Sequence, residues 1–214
     1  MDIETIRGYE RARNELLAQT VIKGLESRRM HGYYAANKEE ALKVALDLIP
    51  AGSSVTMGGC MSAIEIGLVD ALKAGDYNFI DRDEAEDRRA AMLQAYDADV
   101  YLASANAITK DGVMVNIDGA GNRVSNMAFG PRKLVYIVGM NKVCDDVDGA
   151  MKRARNVAAP INAQRFGLST PCTKTGACYN CKSPDSICCQ FLITRFAMNE
   201  NRIHVVLVND DLGF

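Results

Sequence analysis

The chain has 214 residues, of which 48% are hydrophobic and 24% charged, a globular composition that excludes global disorder and suits one domain with additions. Lys and Arg number 25 against 27 Asp and Glu, a net charge of −2, so no basic field exists to displace counterions and no nucleic-acid partner is expected. The longest apolar run, 134–140, is far short of the ~20 residues that cross a bilayer, and charges at Asp2, Glu4, Arg7 and Glu10 break any apolar leader, so a cytoplasmic protein without a membrane span is expected.

Ile6, Leu16, Leu17, Val21, Ile22 and Leu25 recur at helical spacing and predict a long N-terminal helix over 1–30, docked on the body or paired with another subunit. A short apolar segment at 31–35 follows. Asn37 and Glu40 form a capping-box pattern that opens a helix through Ile49, ended by Pro50 and Gly52. Next come a β-like run at 54–57, a helix carrying Ile64, Leu68 and Leu72, a run at 77–80 and a helix from Asp83 to Tyr96. A strand at 99–103, the turn signal Asp111-Gly112, a run at 113–117 and a strand at 133–138 lead to a helix over 147–158. Apolar runs at 191–194 and 203–208 close the series. Strands alternating with helices predict a single α/β domain over 1–214, with a mostly parallel sheet flanked by helices on both faces.

Three segments fall at predicted strand ends, where open parallel sheets bind ligands. In the first, Gly58 and Gly59 let a ligand approach the backbone, Cys60 is a reactive thiol or a small buried side chain, and Ser62 with Glu65 either touches the ligand or caps the helix. The second runs from Asn106 to Arg123. Asn116 and Asp118 alternate with Val115 and Ile117, Gly121 and Asn122 sit in a turn, and Arg123 offers a two-pronged clamp for a carboxylate or phosphate. In the third, Gly139, Asn141 and Lys142 follow the strand ending at Val138, and Lys142 either neutralises a ligand or is solvated. The expected ligand is a small anionic molecule. With His31 and His204 as the only histidines, a His-based triad is disfavoured.

Five of the seven cysteines lie in 171–189. Cys172, Cys178, Cys181 and Cys188 make a four-thiolate set that predicts a metal centre, either an iron–sulfur cluster such as 4Fe–4S or zinc, with Cys189 left over.

The ordered combination of Gly58-Gly59-Cys60 with Ser62, Glu65 and Gly67, then Asn106 to Thr109, Asn116 with Asp118-Gly119, Gly121-Asn122-Arg123, Phe129 to Pro131, Gly139, Asn141-Lys142 and Ala159-Pro160 resembles the LUD-domain family of lactate-utilisation proteins over nearly the whole chain. The resemblance implies a fold like that of glucosamine-6-phosphate deaminase, ribose-5-phosphate isomerase and the CoA transferases. It also implies a role in oxidising L-lactate or a similar 2-hydroxy acid, beside an iron–sulfur oxidoreductase partner. Two other readings stay open. One is a non-redox ligand-binding or regulatory protein with structural zinc, and the other an acyl or phosphosugar enzyme in which Glu65 is the catalytic carboxylate. A homodimer is the expected assembly.

Overall fold

The structure, a computed structural model, describes residues 2–214. Met1, the first residue of the expected 1–30 helix, lies outside the described residues. In chain order the elements are α1 (Ile3–Ser27), β1 (His31–Ala35), α2 (Lys38–Asp47), β2 (Ser54–Met57), α3 (Met61–Glu65), α4 (Leu68–Ala74), β3 (Asn78–Ile80) and α5 (Arg88–Gln94). There follow β4 (Val100–Ala103), β5 (Ala107–Thr109), β6 (Met114–Asp118), α6 (Asn122–Ala128), β7 (Lys133–Gly139), β8 (Val143–Cys144) and α7 (Val147–Arg153). The chain ends with α8 (Ala159–Arg165), α9 (Pro171–Thr175), β9 (Gln190–Thr194) and β10 (Ile203–Val208).

Side-chain oxygens set the helix starts. Asp2 accepts from the Thr5 N–H at α1, and Asn37 from the Glu40 N–H at α2, while Glu40 reaches back to the Ala36 N–H. The predicted helix from Asp83 begins only at Arg88, because Asp87 takes the capping position and accepts from the Ala90 N–H. The helix expected through Ile64, Leu68 and Leu72 is two helices. Gly67 adopts φ +76° between them, a left-handed conformation that an α-helix cannot continue through.

Six strands pair in parallel in the order β1-β10-β7-β4-β2-β3. Their side chains alternate between two cores, as the period of two requires. Tyr101, Leu134, Tyr136, Val138, Val205 and Leu207 pack with Ala18, Val21 and Leu25 of α1. Val100, Leu102, Val135, Ile137, Val206 and Val208 pack with α2 and α4. Helices lie on both faces, as predicted, with α2 and α4 on one and α1 on the other. On the α1 face the helix shares the surface with a second, four-stranded sheet, β8-β5-β6-β9, in which β6 runs antiparallel to both β5 and β9. The outer face of this small sheet, Ala107, Val115 and Ile117, is covered by Ala150 and Ala154.

The expected helix over 147–158 runs on as α7, a π-helical turn at Ala154–Ala158, and α8. The widened turn precedes Pro160, which has no N–H to donate back to the preceding turn and crowds it with its ring.

Candidate functional site: a cationic pocket at the strand ends

Chain reversal in the main sheet falls between β2 and β4, since β2 leads outward to β3 and the chain returns to lay β4 on the other side of β2. A cavity of about 400 Å³ opens there, at the carboxyl ends of β2, β4 and β7. Its wall includes Gly58 to Ser62 after β2, Ser104 to Asn106 after β4, Asp118 to Ala120 after β6, and Lys142 after β7. Gly58 is required by space, because a Cβ would collide with the Tyr101 hydroxyl and the Arg123 side chain.

Asp118 organises one side. Its Oδ2 accepts from the Arg123 and Val124 N–H groups at 2.8 and 3.1 Å, its Oδ1 accepts from the Gly119 N–H at 3.0 Å, and Arg123 Nε lies 3.4 Å from Oδ1. The carboxylate thus caps α6, whose N-cap residue is Gly121 at φ +82° and has no side chain to do so. Arg123 also donates to the Ile117 carbonyl, so its guanidinium is anchored at the wall and does not swing free.

Among the described residues, the side chains lining the cavity include five cations, Arg82, Arg88, Arg123, Lys142 and Arg165, and one acidic side chain, Asp118. Arg82 donates to the Gly58 carbonyl at 3.1 Å, and Arg88 pairs with Asp83. Arg165 lies over the Phe166 and Phe214 rings. Lys142 is 3% exposed. Its Nζ donates to Ser104 Oγ at 3.0 Å and Ser62 Oγ at 3.3 Å, and among the described residues no carboxylate lies within 4 Å of it. Burial lowers its pKa to about 8, with Cys60 and, less, Glu65 opposing and Arg153 reinforcing that shift. Cys60 borders the same cavity, and burial pushes its thiol up, against the influence of Lys142 and Arg123. A thiolate activated by the start of α3, one of the sequence expectations, does not fit that environment.

The cysteine-bearing segment lies against this wall. Ile187 lines the cavity and touches Gly119, and the Cys189 N–H donates to the Asp118 carbonyl at 3.0 Å. Cys188 is partly buried, and its thiol is pushed up to about 11 by desolvation first and then by Cys178, Cys172 and Cys181, so the four sulfurs share one neighbourhood. Arg155, on the π turn, donates to Cys178 Sγ at 3.4 Å and Asn180 Oδ1 at 2.8 Å. Among the described residues no three His, Cys, Asp or Glu side chains are drawn together as a ready metal shell.

A family model, the LUD domain, matches residues 18–208. The chain belongs to the LUD-domain family. Over 92% of its length it is also similar, at 12% identity and a TM-score of 0.52, to 98% of a DUF162 family protein from Deinococcus radiodurans. A partial likeness, TM-score 0.36 at 18% identity, covers 51% of this chain and 54% of ribose 5 phosphate isomerase A from Neisseria gonorrhoeae. No curated protein matches the chain.

Of the residues singled out in the LUD-domain sequence, Gly58, Gly59, Cys60, Ser62, Asn106, Asp118, Asn122, Arg123 and Lys142 line the cavity. The others stand elsewhere. Glu65 lies outside the wall and is exposed, its Oε2 accepting from the Gly213 N–H at 3.0 Å, and the Ser62–Glu65 cap does not form. Asn141 ties down the Leu212 backbone, and Gly139 leaves room for that segment. Asn116 is fully buried with neither amide atom bonded. The solvated alternative for Lys142 is overturned by its burial. Sequence reasoning missed Arg82, Arg165, Tyr101 and Ser104. Ser104, directly after β4, was open to the same strand-end rule that found Gly58, whereas the two arginines arrive from loop and helix positions that carry no motif.

Proposed function

We propose that this LUD-domain protein binds a small anionic metabolite, a carboxylate or phosphate ester, and serves the handling of L-lactate or a similar 2-hydroxy acid beside an iron–sulfur oxidoreductase. The observation that carries the ligand class is Lys142, a buried cation whose hydrogen-bond partners are two hydroxyls and which, among the described residues, has no carboxylate at ion-pair distance, Glu65 acting on it only from further away. A buried ammonium without a carboxylate is costly, and an anion in the cavity supplies the missing charge. Arg82, Arg123 and Arg165 add planar donors suited to carboxylate or phosphate oxygens. The lactate-related role rests on family membership, and the pocket adds only that such an acid is of the right charge.

Thermal unfolding in L-lactate, pyruvate, inorganic phosphate and ribose 5-phosphate, each against chloride at equal ionic strength, tests the ligand class. At about a hundredfold excess over Kd the midpoint should rise by roughly 5–10 °C for at least one of them. Arg165→Gln should shrink that rise. The reading is lost if all four behave like chloride.

We further propose that Cys172, Cys178, Cys181 and Cys188 hold a metal centre. The donor set fits a thiolate-preferring metal, and a cation among the four sulfurs would offset both the desolvation and the mutual repulsion that raise the Cys188 thiol. An iron–sulfur cluster would supply one-electron transfer, and zinc a structural tie. Iron, sulfide and zinc assays on anaerobically purified protein, with a visible spectrum before and after reduction, separate the two. Protein that carries neither metal, and takes up neither on reconstitution, would remove this part of the proposal.

A further inference from the structure

Lys142 has properties beyond those of an anion contact. Lys38, Lys73 and Lys110 pair with acids, Lys73 with Asp81 at 2.7 Å and Glu84 at 2.9 Å. Lys142 instead sits in the short turn after β7, 3% exposed, at the cavity wall, with its Nζ placed by the two hydroxyls of Ser62 and Ser104. Hydroxyls accept from an ammonium but also donate to a free amine, so this setting serves both protonation states. We infer that Lys142 is a nucleophilic amine that condenses with the carbonyl carbon of a small anionic carbonyl compound bound in the strand-end pocket. This rests on the anion reading above and deepens it by naming the reacting group of the ligand.

The chemistry balances without an oxidant. The amine lone pair forms a bond to the carbonyl carbon and the C–O π pair moves to oxygen. Ser104 and Ser62, both within hydrogen-bond reach of Nζ, can pass protons from nitrogen to that oxygen, which leaves as water as the C=N bond forms. The lowering of the Lys142 pKa to about 8 keeps a working fraction of the amine neutral near neutrality. The arginines hold the ligand's charge. A carboxylate adjoining the carbonyl, as in a 2-oxo acid, and a phosphate further along, as in a phosphorylated aldose, share this chemistry and differ in where the anion lies.

The full chain, incubated with pyruvate or with glyceraldehyde 3-phosphate and then treated with borohydride, is analysed by intact mass and peptide mapping. The expected result is one reduced adduct per chain, mapped to Lys142, dependent on borohydride and suppressed by excess inorganic phosphate. Labelling by pyruvate alone identifies the 2-oxo acid class, and by the phosphate ester alone the phosphosugar class. Lys142→Arg, which keeps the charge but not the nucleophilic amine, should lose the adduct. Mapping of the wild-type chain decides the matter even where that variant folds poorly. Adducts absent from Lys142, or scattered over surface lysines, while anions still stabilise the protein, overturn the amine role and leave the pocket reading standing. Loss of both the adduct and the stabilisation removes the pocket reading itself.

Discussion

His31 and His204 face each other on neighbouring parallel strands, their ring centroids 4.9 Å apart. His204 Nε2 lies 3.2 Å from the Asn201 carbonyl, so it carries the proton, and Nδ1 then accepts from the Tyr33 hydroxyl at 3.0 Å. Every site on the neutral ring is satisfied, and burial lowers its pKa from 6.5 to about 4. The unfolded chain therefore binds a proton at higher pH than the folded one. The stabilisation is fully present above pH 6.5 and is lost as pH falls towards the folded value, by on the order of 1–2 kcal/mol. Urea unfolding of wild type and His204→Gln across that window should show a shallower pH slope in the variant. Equal slopes would place the acid sensitivity in the carboxylates instead.

At the scale of elements, α1 shows how context reverses a propensity. Gly24 on α1 and Gly112 in the β5–β6 turn meet face to face. A Cβ on Gly24 would lie 2.6 Å from the Asp111 carbonyl oxygen, and one on Gly112 2.6 Å from the Leu25 nitrogen. Arg28 Nε donates to that same Asp111 carbonyl at 2.6 Å, which fixes the end of the helix on the turn. Helical Gly→Ala ordinarily gains about 1 kcal/mol. Gly8→Ala, with nothing within 4 Å of its Cβ, should show that gain, whereas Gly24→Ala should lose about 1–3 kcal/mol through overpacking. Thermal unfolding of the two variants compares them directly, and a gain for Gly24→Ala would refute the docking argument. The stripe of Val21, Ile22 and Leu25 made an apolar docking face legible in the sequence, where docking on the body and pairing with another subunit were both open, but not its seat on the β5–β6 turn. Ile3 and Ile6, nearer the start of the helix, remain exposed, since periodicity says which side is apolar and not whether anything covers it. The run at 191–194 was legible as extended chain, but its antiparallel pairing with β6 was not, because that partner lies far away in sequence.

For the molecule as a whole, the parallel sheet and the place of its strand-end cavity could be read together, since the ends of strands open a crevice wherever such a sheet reverses. Gly58, Asn106 and Lys142 were found that way. Arg82 and Arg165 escaped because only tertiary packing brings their segments over the cavity. The thiols of 171–189 were legible as a set, though not their placement against the pocket wall, which depends on the π turn at Ala154–Ala158. Ala154 and Ala158 face the cavity, while Arg155 bonds Cys178 and Asn180. The turn carries one residue more than an α-helical turn, and moving that surplus along the helix would rotate both faces together. On the proposals above, a pocket anion and a thiolate-bound metal would be heterotropic effectors of one another through this turn. Reciprocity makes the two influences equal, so the factor by which a bound anion changes metal affinity is the factor by which the metal changes anion affinity.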